Sequence, residues 1–117
     1  MAHIINPFKR DESPELYKMQ LITLNSMEIA KKHSNSVGID VDLLAAFFPE
    51  DEDIVPNFFI KTKPLNQSVL NIKGIDEKNK LPFISDILQR MYEKSDAEYL
   101  IYSNADIVLM PYFYQAV

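Results

Sequence analysis

The chain has 117 residues, of which 47% are hydrophobic and 25% are charged, a composition typical of one globular domain. Its formal net charge of −5 disfavours a nucleic-acid partner. The absence of cysteine excludes disulfides and thiolate metal sites and fits a reducing compartment such as the cytoplasm. Only two glycines occur, so the glycine-rich phosphate loops of nucleotide-binding proteins are excluded, and no apolar run approaches the roughly 18–20 residues that span a bilayer.

The chain begins with a predicted strand and a predicted helix. Residues 3–6 form a short apolar strand that Pro7 ends, because proline lacks the N–H that a central strand donates. Ser13 as N-cap and Pro14 at the first helical position predict a helix start. Apolar residues at steps of three and four then predict one buried helical face over residues 14–32.

The middle of the chain predicts two further strands. Val37, Ile39 and Val41 alternate with polar residues, which is the period of a strand, and the apolar character continues to residue 46. The acidic run at residues 49–53 predicts a solvated loop. Residues 58–60 predict a third, short strand.

The last third predicts a helix followed by a strand. Apolar residues at helical spacing mark a helix over residues 81–91, and an apolar strand follows over residues 97–102. Strands that alternate with helices predict an α/β fold with a mostly parallel sheet of about four strands flanked by helices. The continuous apolar character of the last strand predicts burial on both faces.

Polar residues lie at the carboxyl ends of the first and last predicted strands. Asn6 is the last residue of the first strand, and Asn104 and Asp106 follow the last one within residues 99–114. Because ligands bind at the carboxyl ends of the strands in open α/β sheets, these three side chains are candidate ligand contacts. The alternative is that Asn and Asp shape turns by bonding to their own backbone.

Two more acidic residues are candidates on the second predicted strand. Asp40 and Asp42 are two positions apart, so in a strand their carboxylates project from the same face. They would contact the ribose or base of a nucleotide, or else lie on a solvated strand face.

With Asp106 at a strand end, the chain resembles the N-terminal half of a nucleotide-diphospho-sugar transferase, which has the GT-A glycosyltransferase fold. The resemblance extends in order over residues 4–7, 14–32, 37–46, 78–82 and 97–106. It implies that residues 4–7 meet the nucleotide base and that Asn79 and Lys80 lie in a loop facing the sugar nucleotide. It also implies that Asn104-Ala105-Asp106 takes the place of the DxD motif.

In this family the DxD carboxylates hold Mn²⁺ or Mg²⁺, which bridges the two phosphates of the nucleotide sugar. Asn104 replaces one carboxylate with an uncharged amide, so the resemblance implies nucleotide-sugar binding with Asp106 as a metal ligand of weakened affinity. The acceptor-binding half of such enzymes lies downstream of the motif, whereas this sequence stops shortly after Asp106. We therefore expect residues 1–117 to form one domain, incomplete at its C-terminus, that is not a complete catalyst alone.

A non-catalytic interaction or assembly module is the alternative. In the family-like order the first and last strands are neighbours, and the outer edge of the last strand is unpaired. Folded proteins avoid or cover such an apolar edge, so this hypothesis predicts a homo-oligomer or a partner chain at residues 99–114.

Overall fold

The computed structural model describes residues 1–9, 14–68 and 82–117, apart from the side chains of Pro14 and Leu16. In chain order the elements are β1 (Ala2–Ile5), α1 (Pro14–Ser36), β2 (Asp42–Ala45), a 3-10 helix (Pro49–Ile54), β3 (Ile60–Lys61), α2 (Ile84–Lys94), β4 (Leu100–Tyr102) and α3 (Phe113–Ala116). No helix within these residues has the length and apolar character needed to cross a membrane.

The four strands form one parallel sheet in the order β3-β2-β1-β4. His3 in β1 pairs in register with Leu43 of β2 on one side and with Ile101 of β4 on the other. The predicted α/β fold with a parallel sheet of four strands flanked by helices is therefore confirmed, and it is compatible with a Rossmann-like fold.

One face of the sheet packs against α1 and α3. Ile5 and Leu43 from this face share a buried core with Leu24 and Met27 of α1 and with Tyr114 of α3. The spacing of Leu24 and Met27 explains why α1 forms, because residues three apart lie on one side of a helix and bury one stripe.

The opposite face packs against α2. Ile4 and Leu44 share a second buried core with Ile87 and Met91 of α2. Successive strand residues point to opposite faces, so the neighbours Ile4 and Ile5 belong to different cores. Because both faces are covered by helices, β1 is completely buried.

The first helix ends later than predicted, at Ser36, and the residues after it form a turn. Gly38 has φ +84°, and its N–H donates to Asn35 O at 3.2 Å, while Ile39 N–H donates to Ser34 O at 2.9 Å. These two bonds and the left-handed glycine make a Schellman cap. The prediction that Val37 and Ile39 belong to the second strand is wrong for this reason, and β2 starts only at Asp42.

The last strand lies at the edge of the sheet. Leu100, Ile101 and Tyr102 are each half-buried, so the prediction of a strand buried on both faces is wrong. The physical reason is the strand order, which places β1 in the interior and leaves β4 with one paired side among the described residues. The strand is also shorter than predicted and begins at Leu100 instead of Ala97.

Other boundaries also differ from the predictions. The acidic run predicted as a loop is the 3-10 helix, and its Asp51 is buried. β3 lies at Ile60–Lys61, so it begins two residues later and ends one residue later than predicted, and α2 begins at Ile84, three residues later than predicted. Local patterns leave such ends uncertain because the terminal turn of an element is decided by its tertiary contacts.

Candidate functional site

The strand order creates one topological switch point, between β1 and β4. From β1 the chain adds β2 and β3 on one side of the sheet, then crosses to the other side of β1 to form β4. In open parallel sheets, ligands bind at the carboxyl ends of the strands that flank such a point. Here the loops after β1 and β4 lead to α1 and α3, which cover the same face of the sheet. The switch point is therefore the first place to look for a site.

Asn6 follows β1 at the carboxyl end of the sheet, and it joins the ends of β1 and β2. Its side-chain Nδ2 donates to the carbonyl oxygen of Ala46 at 2.8 Å, and Ala46 N–H donates to Ile5 O at 3.0 Å. The amide of Asn6 thus extends the pairing of β1 and β2 past their last residues. This contact holds the start of the loop after β1 against the end of β2.

The rest of the loop after β1 is also held by hydrogen bonds. Phe8 N–H donates to Gln20 Oε1 at 2.9 Å, and Gln20 Nε2 donates to Phe8 O at 2.7 Å, which ties the loop to α1. Lys9 N–H donates to Asp51 Oδ1 at 3.0 Å, and Lys9 Nζ contacts Asp53 at 2.6 Å. At the carboxyl end of the sheet, the loop after β1 is therefore anchored both to α1 and to the 3-10 helix.

Asn104 and Asp106 follow β4, at the same carboxyl end of the sheet as Asn6. Both side chains are exposed, and Ala105 between them is buried. Ile107 N–H donates to Asn104 O at 3.3 Å, which closes a turn with Ala105 and Asp106 at its centre. The two polar side chains thus lie in a turn at the switch point, a position that suits both ligand binding and the turn role that we considered as the alternative.

Asp106 and Asn104 are the candidate metal ligands that the sequence predicts. Within the described part of the chain, no group of three or more histidine, aspartate or glutamate side chains lies close enough to hold a metal. Mg²⁺ and Mn²⁺ prefer oxygen ligands, and Mg²⁺ often takes only one or two carboxylates plus substrate phosphates. Asp106 can supply the carboxylate and Asn104 a neutral oxygen, so affinity for a metal would depend on bound phosphate.

Asp40 and Asp42 lie at the opposite end of the sheet. Asp42 pairs in register with Ala2 at the amino end of β1, so roughly 10 Å of strand separates it from the carboxyl edge. Asp42 Oδ2 accepts a hydrogen bond from Ser95 Oγ at 3.3 Å, and exposed Asp40 accepts one at its backbone oxygen from the Met1 amino group at 3.0 Å. The structure does not bring these residues together with Asn6 and Asp106.

The remaining two candidates, Asn79 and Lys80, lie outside the described residues. Of the seven predicted site residues, the structure therefore gathers Asn6, Asn104 and Asp106 at one edge.

A hydrogen-bonded row of three side chains links α3 to β1 and β1 to the residue after β4, and it was not foreseen from the sequence. His3 is fully buried in β1, its Nδ1 lies 2.7 Å from Tyr114 Oη, and its Nε2 lies 2.6 Å from Ser103 Oγ. The His3 ring also meets the rings of Tyr114 and Phe113 at centroid distances of 5.8 and 6.2 Å. We call Tyr114, His3 and Ser103 the histidine row.

Burial sets the protonation of the histidine row. Desolvation lowers the pKa of His3 from 6.5 to about 4, so its imidazole is neutral at pH 7. Burial also raises the pKa of the Tyr114 phenol well above its usual range, so the phenol keeps its proton. The sequence held one signal of this arrangement, a histidine inside an apolar strand, but its partners lie 100 and 111 residues away.

In comparisons with protein-family models, curated proteins and solved structures, no match to this chain was found. The functional reading of the chain therefore depends on its strand order and on the residues that this order brings together at the switch point.

Proposed function

We propose that this chain is a nucleotide-sugar-binding domain of the glycosyltransferase type, with its ligand at the carboxyl ends of β1 and β4. One observation carries the proposal: the turn Asn104-Ala105-Asp106 follows the strand on one side of the switch point, and Asn6 follows the strand on the other. Parallel sheets bind nucleotides at the carboxyl ends of their strands. Asp106 is the proposed metal ligand, with Mn²⁺ or Mg²⁺ bridging the protein to the ligand's phosphates.

The test is isothermal titration of the protein with UDP-glucose and GDP-mannose, with and without MnCl₂. We expect binding of at least one ligand, strengthened by Mn²⁺, and a loss of the Mn²⁺ effect in Asp106→Ala. Asp40→Ala is the matched control, because Asp40 is also an exposed aspartate but lies at the opposite edge. Unchanged binding in Asp106→Ala would refute the role of this residue, and failure of the wild-type protein to bind either ligand would refute the proposed function.

A second candidate function is assembly through β4 with a second copy of the chain. Tyr99 O and Ser103 N–H both bond to β1, so in a parallel pair the backbone groups of Leu100 and Tyr102 face the free edge. The segment after the strand exposes four large apolar side chains: Ile107, Val108, Met110 and Tyr112. Antiparallel pairing of β4 with its copy across a two-fold axis would satisfy this edge without another protein.

Light scattering coupled to size-exclusion chromatography separates the two candidates. A dimer that binds no nucleotide sugar would favour assembly as the function. A monomer at high concentration would contradict the second candidate and leave the first one standing.

A further inference from the structure

The histidine row ends at the candidate site. Tyr114 and His3 are buried, whereas Ser103 is half-buried and directly precedes Asn104 at the carboxyl end of β4. Hydrogen bonds have a direction, so the protons of the two buried groups decide what the hydroxyl of Ser103 can do.

The direction of the hydrogen bond between Tyr114 and His3 is determined first. The Tyr114 side chain is 1% exposed, and His3 Nδ1 is the one hydrogen-bond partner of its hydroxyl within residues 1–9, 14–68 and 82–117. The phenol has a single proton, which it retains because burial raises its pKa. If it donates to Nδ1, both groups are satisfied; if Nδ1 carried the proton instead, the phenol proton would be buried without an acceptor.

The direction at Ser103 follows from the neutral state of His3. A neutral imidazole carries one proton, and with Nδ1 as acceptor this proton is on Nε2. Nε2–H then donates to Ser103 Oγ across the 2.6 Å contact. His3 therefore has no lone pair facing Ser103, so it cannot act as the base that would activate a serine nucleophile.

Ser103 keeps its own proton and has to direct it away from His3. In the described part of the chain its hydroxyl hydrogen-bonds to His3 alone, and the residue is half-buried at the carboxyl end of β4. The hydroxyl retains its O–H and one further lone pair, and toward an oxygen with negative charge it can only donate.

We propose that Ser103 donates a hydrogen bond to a phosphate oxygen of the ligand at the switch point, and that Tyr114 and His3 are positioning residues that fix this direction. The ligand in this inference rests on the proposed function. Ser103 is not among the site residues predicted from the sequence. Its proposed contact is with the phosphate of the ligand and not with the sugar or the base.

The first experiment measures the tautomer of His3 and needs no ligand. Long-range ¹H–¹⁵N spectra of ¹⁵N-histidine protein at pH 7.5 distinguish Nδ1–H from Nε2–H, and exposed His33 is the internal reference. We expect the Nε2–H form at His3 in the wild-type protein and a mixture of tautomers in Tyr114→Phe, because the phenol donor is gone. An Nδ1–H form in the wild type would overturn the proposal, and an unchanged spectrum in Tyr114→Phe would remove the positioning role of Tyr114.

The second experiment titrates Ser103→Ala and Ser103→Thr with UDP, UDP-glucose, GDP and GDP-mannose in the presence of MnCl₂. We expect Kd to rise about 10-fold or more in Ser103→Ala, equally for the diphosphate and its sugar conjugate, because a bond to a charged group is lost. Ser103→Thr retains a hydroxyl and should bind within about threefold of the wild type. Ser85→Ala is the control, an exposed serine on α2.

The outcomes separate this inference from the proposed function. If the wild-type protein binds and Ser103→Ala binds equally well, the Ser103 contact is refuted and the proposed function survives. A loss confined to the sugar conjugates would place the contact on the sugar and overturn the assignment to phosphate. If the wild-type protein binds none of these ligands, the proposed function and the phosphate contact both fail, while the tautomer measurement still decides the direction of the Ser103 hydrogen bond.

Discussion

At the scale of single residues, burial of His3 has a consequence for stability. The pKa of His3 is about 4 in the folded protein and 6.5 in an unconstrained chain, so the unfolded state binds the proton more tightly. The stability that depends on neutral His3 is therefore present above pH 6.5 and is lost as pH falls towards 4. This difference in the pKa of His3 corresponds to at most about 3 kcal/mol of the free energy of unfolding.

Urea unfolding at several values between pH 7.5 and 4 checks this expectation. The free energy of unfolding should fall more steeply with decreasing pH in the wild type than in His3→Gln, which has no group titrating there. His33→Gln is the control for the substitution itself, because His33 is exposed. Equal slopes in the wild type and His3→Gln would show that His3 is not held neutral by the fold.

Asn104 offers a test of the proposed metal site at the same scale. Asn104→Asp places a second carboxylate beside Asp106, and hard cations bind more tightly as anionic oxygen ligands are added. We expect Mn²⁺ affinity in the presence of UDP to rise about 10-fold, which corresponds to about 1.4 kcal/mol.

The measurement is a calorimetric Mn²⁺ titration with UDP held constant, and Asn57→Asp is the control. Asn57 is exposed and lies before β3, at the amino end of that strand, so it adds the same charge away from the site. An equal rise in Mn²⁺ affinity in both variants would reveal a general effect of charge and no site at Asn104.

At the scale of elements, the end of α1 decides where β2 begins. Gly38 adopts φ +84°, and nothing lies within 4 Å of the position that a Cβ would occupy. Substitution there is therefore opposed by backbone conformation and not by a clash. Gly38→Ala should lower the free energy of unfolding by about 1–2 kcal/mol, and Gly38→Asn by less, because Asn tolerates the left-handed region better.

Thermal or urea unfolding measures this effect, with Val37→Ala as the neighbouring control. Val37 is 52% exposed, so its truncation should change stability by less than about 0.5 kcal/mol. A loss in Gly38→Ala no larger than that in Val37→Ala would contradict the assigned cap.

The same glycine shows how a local pattern can mislead. Val37, Ile39 and Val41 alternate as a strand would, yet Val37 is exposed and Ile39 closes the Schellman cap. The alternating signal competed with the helix-stop signal of Gly38, and the cap prevailed because it satisfies carbonyl groups at the end of α1. Only the last turn of α1 and the start of β2 were misassigned as a result.

At the scale of the whole molecule, the exposed edge of β4 predicts self-association. Val108 is 53% exposed in the apolar segment after β4, and Val37 is 52% exposed after α1, so the two positions form a matched pair. Val108→Lys should lower the apparent mass in light scattering, because a charge on the exposed apolar segment after β4 opposes its burial in an interface. Val37→Lys should keep the wild-type mass; dissociation by both variants would contradict a dimer built on β4.

By itself, the sequence determined what local periodicity encodes. The steps of three and four in α1 and α2 and the apolar runs of β1 and β4 predict an alternating α/β chain, because side-chain direction repeats every 3.6 residues in a helix and every two in a strand. The residues after Ile5 and Tyr102 could be selected as candidates for the same reason, since strand ends are visible in the pattern.

Only the tertiary structure decided which of these residues meet. Strand order places β1 between β2 and β4, which gathers Asn6, Asn104 and Asp106 at the carboxyl edge. The register of β1 with β2 leaves Asp42 at the other end. The histidine row joins positions far apart in the chain, and such contacts depend on how the elements pack and not on the residues next to them in sequence.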